Sequence, residues 1–319
     1  MDSGDPLKII LVAEEAAGVH ALRALARSEH RIIAVMTAAV DEPGRPSAVK
    51  DVAAQLGYAT WPARWVKDAA FAERMLEDEA DLLLNVHSLY LINERVLAAP
   101  SVGSYNMHPG PLPRYAGLNV VSWALYYGET RHAVTVHRMA PTVDAGPIAY
   151  EAWFDLDDED TALTVSAKCV RAGIPLIEKL LKTVAADLTA IPAIPQDPSQ
   201  RRYFGKNVPD GGELLWSRPA RRVVNFVRAC DYLPFRSPWG HPRVRLEGRE
   251  LAIVKAKPLD EAATAPAGTV GDPVGRAVKV AAADRWVLVH RLLCDGQPQD
   301  GAAQLRPGQR FEEPVSVAC

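Results

Sequence analysis

One feature constrains this chain more than any other: its first half alternates short apolar runs with amphipathic stretches of helical period. Leu7-Lys-Ile-Ile-Leu-Val12 reads as a strand by length and β-branched content, and residues 16–28 as a helix. Arg31-Ile-Ile-Ala-Val-Met36 is a second strand, Pro46-Ser47 opens a helix that stops near Gly57, and 67–79 reads as a charged helix. Asp81-Leu-Leu-Leu-Asn-Val86 has the unbroken apolar character of a strand covered on both faces. Strands are expected again at 103–107 and 133–138, with a helix at 119–127 between them and a longer one over 161–184 that Pro175 should kink. This order predicts an α/β fold, a Rossmann-like and mostly parallel sheet.

With 319 residues, 48% of them hydrophobic, the chain has apolar side chain enough for two cores, at roughly 100–200 residues per domain. Composition shifts over 186–212, where Ile191-Pro-Ala-Ile-Pro-Gln-Asp-Pro-Ser reads as a connector. The expected division is 1–201 and 202–319. Ser217-Arg-Pro-Ala should cap a helix running to Cys230. Short strands at 244–247, 251–256, 278–281 and 286–292, separated by Gly and Pro, then predict a small OB-like β-barrel.

No run approaches the roughly 18 apolar residues of a membrane span, and Met1-Asp-Ser-Gly-Asp-Pro lacks the basic start of a secretory signal. Cys169, Cys230, Cys294 and Cys319 are far apart, which fits reduced thiols and a cytoplasmic setting and gives no zinc spacing. From residue 202 onward, 18 Lys and Arg face 13 Asp and Glu; before it, 18 face 26. The second domain is mildly basic, well short of a dedicated nucleic-acid surface.

The densest unusual segment is Tyr105-Asn-Met-His-Pro-Gly-Pro-Leu-Pro-Arg-Tyr-Ala-Gly117. Asn106 and His108 share one face of an extended strand and sit where it runs into a Pro-stiffened loop. Ligands of open α/β sheets bind at such strand ends. Ala140-Pro-Thr-Val-Asp-Ala-Gly146 brings Asp144 out beyond another strand. An amide, an imidazole and a carboxylate form an acyl-transfer or amide-hydrolysis set: His as acid or base, the carboxylate orienting it, Asn as oxyanion donor. No Ser or Cys nucleophile adjoins His108, so direct transfer to an incoming nucleophile fits better than a covalent enzyme intermediate.

These residues carry a resemblance. Asn106-Met-His108, Gly110-Pro-Leu-Pro-Arg-Tyr-Ala-Gly117 and Val143-Asp-Ala-Gly146 resemble the formyltransferases that use 10-formyltetrahydrofolate, and the 36-residue step from His108 to Asp144 agrees. The likeness continues through Tyr203-Phe-Gly-Lys, Leu215-Trp-Ser and the helix with Asn225 and Arg228, as in methionyl-tRNA and sugar N-formyltransferases. It implies that Asn106, His108 and Asp144 are catalytic, that an amine attacks the formyl carbon to give a tetrahedral intermediate, and that no metal takes part. It also implies a folate site built largely from backbone at Tyr90, Leu91 and Ile92, at Leu112 and Pro113, and at Ala140, Pro141 and Val143.

Three departures from the family pattern bear on the acceptor. Ser-Leu-Leu-Pro is Gly110-Pro-Leu-Pro113 here, which removes a hydroxyl at the substrate mouth. The long basic insertion of the methionyl-tRNA enzymes is replaced by Asp41-Glu-Pro-Gly-Arg-Pro-Ser-Ala-Val-Lys50, in which two cations meet two acids, so tRNA is disfavoured. The first strand–helix turn carries Glu14 and Glu15 in place of a Gly-rich cradle, so a phosphate or dinucleotide there is disfavoured, the acids serving the helix dipole instead. The expected partner is a small-molecule amine, a nucleotide-linked amino sugar or another biosynthetic amine, bound by a monomer or homodimer. A 10-formyltetrahydrofolate hydrolase and a non-catalytic folate- or nucleotide-sensing module stand as alternatives. His87 is expected to line or underlie the folate crevice, His132 and His137 to be surface and strand residues, and Arg201-Arg202 and Arg221-Arg222 to be solvated. Trp123, Trp216 and Trp239 read as core or junction anchors.

Overall fold

The computed structural model describes residues 6–38 and 47–313. Residues 41–46 of the segment Asp41–Lys50, and Cys319, lie outside the described residues.

The chain divides into two compact units. The first comprises Met1–Gly117, Arg131–Asp155 and Ala167–Phe204. Its elements are β1 (Lys8–Ala13), α1 (Glu15–Ala26), β2 (Arg31–Thr37), α2 (Ala48–Gln55), β3 (Thr60–Pro62), α3 (Phe71–Glu77), β4 (Leu82–Val86), α4 (Glu94–Ala98), β5 (Gly103–His108) and β6 (Ala116–Gly117). After α5 (Val120–Tyr127) come β7 (Arg131–Arg138), β8 (Ile148–Asp155), α6 (Ala162–Ala186) and β9 (Tyr203–Phe204). Seven strands form one sheet in the order β3-β2-β1-β4-β5-β7-β8. The first five are parallel; β7 and β8 are antiparallel. This is the expected mostly parallel α/β sheet.

Sequence explains the centre of the sheet. Ile9, Ile10, Leu11, Leu82 and Leu83 are fully buried, as strands covered on both faces require. Ser47 caps α2 as expected, its hydroxyl accepting from Lys50 N at 3.2 Å. α6 runs unbroken over Ala162–Ala186 with Pro175 inside it. Gly173 of α6 lets the helix approach the sheet, since a Cβ there would lie 2.4 Å from Met107 Sδ.

One helix reading needs correction, and one strand adds to the expected order. The helix expected at 67–79 is α3 alone, preceded by a 3-10 turn (Ala63–Lys67) and the short edge strand β3. There Trp61, Trp65 and Phe71 cluster at 6.0–6.1 Å with Arg74 over the Trp61 ring, and that side-chain packing overrides the helical period. β8 was not foreseen. It is a sheet edge with Glu151, Trp153 and Asp155 outward, and it lacks the apolar run that marks the interior strands.

The second unit comprises Leu118–Thr130, Leu156–Ser166 and Gly205–Cys319. It holds α5, α7 (Ala220–Ala229), β10 (Arg243–Leu246), β11 (Arg249–Ala262), β12 (Val270–Val274), β13 (Ala277–Ala281), β14 (Arg285–Cys294), β15 (Gln297–Asp300) and α8 (Gly301–Gln304). The strands form an antiparallel sheet, β10-β11-β14-β13-β12, with β15 beside β14. Ser217 does not cap α7: the helix starts at Ala220, whose N–H goes to Asp284 Oδ1 at 2.7 Å. The tryptophans anchor this unit, Trp123 edge-on to Trp239 at 4.9 Å and Trp216 stacked on Phe311 at 5.4 Å. Arg228, buried with Asn225, donates to Asn225 Oδ1 and to the carbonyls of Asp157 and Asp158, so both residues tie this unit together. Arg222 is not solvated as expected; it donates to Tyr126 O and lies over the Tyr126 ring. Among the described residues no helix is long and apolar enough to cross a membrane.

Candidate active site

Register puts the site together. Across the sheet, Val12 of β1 faces Asn85 of β4, Asn85 faces Asn106 of β5, and Asn106 faces His137 of β7. Three polar side chains therefore form a transverse row in an otherwise apolar layer, and burial obliges them to bond one another. Asn85 Nδ2 donates to Asn106 Oδ1 at 3.0 Å, which fixes the Asn106 amide with its Nδ2 turned the other way. That nitrogen lies 3.2 Å from His137 Nε2 and 3.5 Å from Asp144 Oδ1.

Both imidazoles have their tautomers set by backbone carbonyls, which can only accept. His137 Nδ1 is 2.9 Å from Arg138 O, so its proton sits there and neutral Nε2 accepts from Asn106. His108 Nε2 is 2.6 Å from Tyr115 O, so Nε2 carries the proton and neutral Nδ1 presents a lone pair. That lone pair lies 3.6 Å from Asp144 Oδ2. Two acceptors facing each other at this distance form a receptor for a proton.

Asp144 sits on the loop beyond β7 with φ +53°, a left-handed conformation that Asp tolerates better than most residues. Its Oδ2 accepts from Gly117 N at 2.8 Å. Gly117 has φ +95°, and a Cβ there would stand 2.2 Å from Phe204 O; a Cβ on Gly146 would stand 1.9 Å from Arg138 O. Glycine is required at both positions on either side of the carboxylate. Burial pushes the His108 imidazole below its ordinary 6.5, more strongly than Asp144 draws it up. Burial also works against ionising Asp144, but the charge that the His108 and His137 imidazoles carry when protonated, with the Gly117 N–H, outweighs it and holds the carboxyl well below the usual carboxylate range. At neutral pH the pair is a neutral imidazole beside a carboxylate.

The structure thus brings Asn106, His108 and Asp144 together, all at most 9% exposed. Tyr90, Leu91 and Ile92 follow β4, next to β5 in the sheet. Tyr90 and Ile92 pack on the same buried cluster as Met139, which leads into Ala140, Pro141 and Val143, so the two loops share one support. Leu112 is buried with its N–H on Thr135 Oγ1, and Pro113 O accepts from Arg202 N. Leu89 and Leu91 are 81% and 69% exposed, while Asn85 Oδ1, Ser88 Oγ and His87 Nε2 are buried without partners. No group of three or more His, Cys, Asp or Glu among the described residues is placed to hold a metal ion.

Several residues behave differently from the sequence reading. His132 is fully buried, not a surface residue: its Nε2 bonds Pro109 O at 2.8 Å and burial lowers it to about 4, while His137 is a strand residue as expected, buried on β7. Glu14 does not serve the α1 dipole; its Oε1 accepts from Thr37 Oγ1 and Ala38 N at the end of β2. Glu15 does stand in the first turn of α1, as expected of an acid serving its dipole, with Oε2 3.4 Å from His87 Nδ1. Arg201 is not solvated: with Gln196 it bonds the backbone of the Asp144 loop. Asn85 had a legible signal, an amide inside a buried strand. His137, Gln196 and Arg201 had none until register and connector path were known.

Comparison with known proteins places this geometry. The sequence model of the formyl transferase family matches residues 8–179, and that of the formyl transferase C-terminal domain matches 208–307. Among solved structures, WlaRD, a sugar 3N-formyl transferase studied with dTDP and 5-N-formyl-THF, is 16% identical with a TM-score of 0.68, over 90% of this chain and 98% of that one. An N-formyltransferase from Helicobacter canadensis, in complex with folinic acid and dTDP-3-aminofucose, is 14% identical with a TM-score of 0.68, over 89% and 98%. HypX from Aquifex aeolicus in complex with tetrahydrofolic acid is 17% identical with a TM-score of 0.59, over 94% of this chain and 47% of that longer one. At these identities the likeness is one of fold. With more than half of its length matched by the catalytic-domain model alone, this chain belongs to the formyl transferase family of enzymes.

Proposed function

We propose that this chain moves the formyl group of 10-formyltetrahydrofolate onto a primary amine, with a nucleotide-linked amino sugar as the acceptor class. The carrying observation is the buried Asn106–His108–Asp144 arrangement, with His108 held in the tautomer that turns Nδ1 toward Asp144. Supporting the donor and acceptor classes are two solved neighbours, one studied with dTDP and 5-N-formyl-THF, the other with folinic acid and dTDP-3-aminofucose. The folate is a consumed co-substrate that supplies an electrophilic formyl carbon and a nitrogen leaving group.

The chain's own residues then do three things. His108 Nδ1 takes the proton released as the amine nitrogen bonds the formyl carbon. Asp144, kept ionised, steadies the imidazolium so formed. The Asn106 Nδ2–H now spent on a 3.5 Å contact with Asp144 turns to the developing oxyanion, beside the new Nδ1–H of His108. The same proton passes to the departing folate nitrogen as its bond to the formyl carbon breaks, so the balance closes with His108 neutral again. We assign this chemistry to 1–201 and a second domain to 202–319, with pterin contacts at Tyr90–Ile92, Leu112–Pro113, Ala140–Pro141 and Val143.

Tetrahydrofolate release from 10-formyltetrahydrofolate, followed by absorbance, tests the reading. It is measured without amine and then with dTDP- and UDP-amino sugars, methionyl-tRNA and small amines including ornithine. Release that requires an amino-sugar nucleotide is expected. Release without amine makes the chain a hydrolase, release only with methionyl-tRNA or a small amine overturns the acceptor class, and silence throughout overturns the transferase reading.

A further inference from the structure

We infer that the connector over residues 191–204 is a strap that sets the Asp144 carboxylate, with Gln196 and Arg201 as positioning residues. The inference rests on Asp144 acting as proposed above. Asn106 and His108 are fixed by strand β5, whereas Asp144 rides on a loop in left-handed backbone conformation, and something must hold that loop.

The connector does so from both sides. At one end, Ile194 exchanges backbone hydrogen bonds with Ile148 at 2.8 and 2.9 Å, fastening the strap to β8. Gln196 Nε2 then donates to Asp144 O at 2.9 Å and to Gly146 O at 2.6 Å. Arg201 Nη2 donates to Val143 O at 2.7 Å, and Nη1 reaches Asp144 O at 3.4 Å. Three carbonyls of a four-residue loop are thus satisfied by two side chains. At the other end, Arg202 N bonds Pro113 O, Ala116 N bonds Arg202 O, and β9 pairs with β6 at Gly117↔Phe204. Gly117 is the residue whose N–H holds Asp144 Oδ2. One stretch of chain therefore fixes the backbone that carries the carboxylate and the backbone N–H that grips it.

Pro192, Pro195 and Pro198 give this stretch its stiffness. It lies between the two family-matched segments, 8–179 and 208–307, so neither describes it.

The full-length chain is tested as Gln196→Met, which keeps the volume and removes both donors, and as Arg201→Ala and Arg201→Lys. The readouts are kcat and KM for 10-formyltetrahydrofolate with the accepted amine, the melting temperature, and the titration of His108 by imidazole NMR. A displaced carboxylate is expected to lower kcat on the order of 10–100-fold and to leave the folate KM unchanged. It should also move the His108 titration to lower pH as the neighbouring anion retreats. Arg201→Lys keeps one donor and should recover part of kcat.

Folded variants with wild-type kcat and an unmoved His108 titration overturn the strap, as does a raised KM with kcat intact. If Gln196→Met or Arg201→Ala does not fold, Arg201→Lys is judged by the same titration. Full activity of Asp144→Asn by itself would refute the catalytic reading of Asp144, and the NMR result would still decide the strap.

Discussion

Gly117→Ala is the perturbation that most directly tests how the site is built. Gly117 has φ +95°, and an added Cβ would stand 2.2 Å from Phe204 O, a backbone atom that cannot turn aside. Left-handed strain costs roughly 1–2 kcal/mol for a residue with a side chain, and forcing an atom into a packed place costs about 1–3 kcal/mol. Together they predict a loss of about 2–5 kcal/mol, or a fall in Tm on the order of 5–15 °C. The catalytic effect is separate and larger than the loss of folded protein. To relieve the clash, β6 must move from β9, and the Gly117 N–H leaves Asp144 Oδ2, now 2.8 Å away. A carboxylate misplaced by about 1 Å costs roughly 10²-fold in rate. The assay pairs thermal unfolding with kcat for tetrahydrofolate release, measured well below the variant's Tm so that only folded enzyme is counted. A variant with wild-type Tm and kcat would refute both the steric argument and the role of this N–H.

Other predictions follow from the same geometry. Asn106→Ala should lose about 2.7–4 kcal/mol of transition-state stabilisation, 10²–10³-fold in kcat; a rate near wild type would remove Asn106 as oxyanion donor. His108→Ala and Asp144→Asn should abolish turnover with circular dichroism unchanged, and an active Asp144→Asn enzyme would sink the proton route. Because burial lowers the His108 pKa, the neutral base is present above 6.5 and is lost as pH falls through a lower value. The kcat/KM profile for the folate, read with the acceptor amine saturating, should therefore show a His108 limb centred below 6.5, and a lowest limb centred above that value would contradict the assignment. Folding stability linked to His108 and to Asp144 runs the same way, present near neutrality and lost on acidification. Burial raises the thiols of Cys169 and Cys230 far above their usual range, so both should resist a thiol reagent at neutral pH until the chain unfolds. Native-state labelling of either would count against their placement.

The sequence displayed its fold best where one physical demand dominated. Leu82-Leu-Leu-Asn-Val86 and Lys8–Ala13 must be apolar because helices cover both their faces, and such runs are visible without any partner. β8 and β3 are edges without a fully buried run: β8 alternates exposed Glu151, Trp153 and Asp155 with half-buried residues, and β3 is only three half-buried residues long. The trio was legible because a rigid Pro-rich loop and a fixed spacing frame it. Its supports were not. His137 matters through being opposite Asn106, a fact of register between antiparallel strands. Gln196 and Arg201 matter through the path of a connector whose composition speaks only of turns.

The bond between His108 Nε2 and the Tyr115 carbonyl has a consequence for traffic through the site. A histidine open at both nitrogens can pass protons along a chain, in at one and out at the other. This ring is blind at one end, because a peptide carbonyl cannot carry a proton away. Whatever arrives at Nδ1 must leave from Nδ1, so the imidazole can return a proton only to the pocket from which it came.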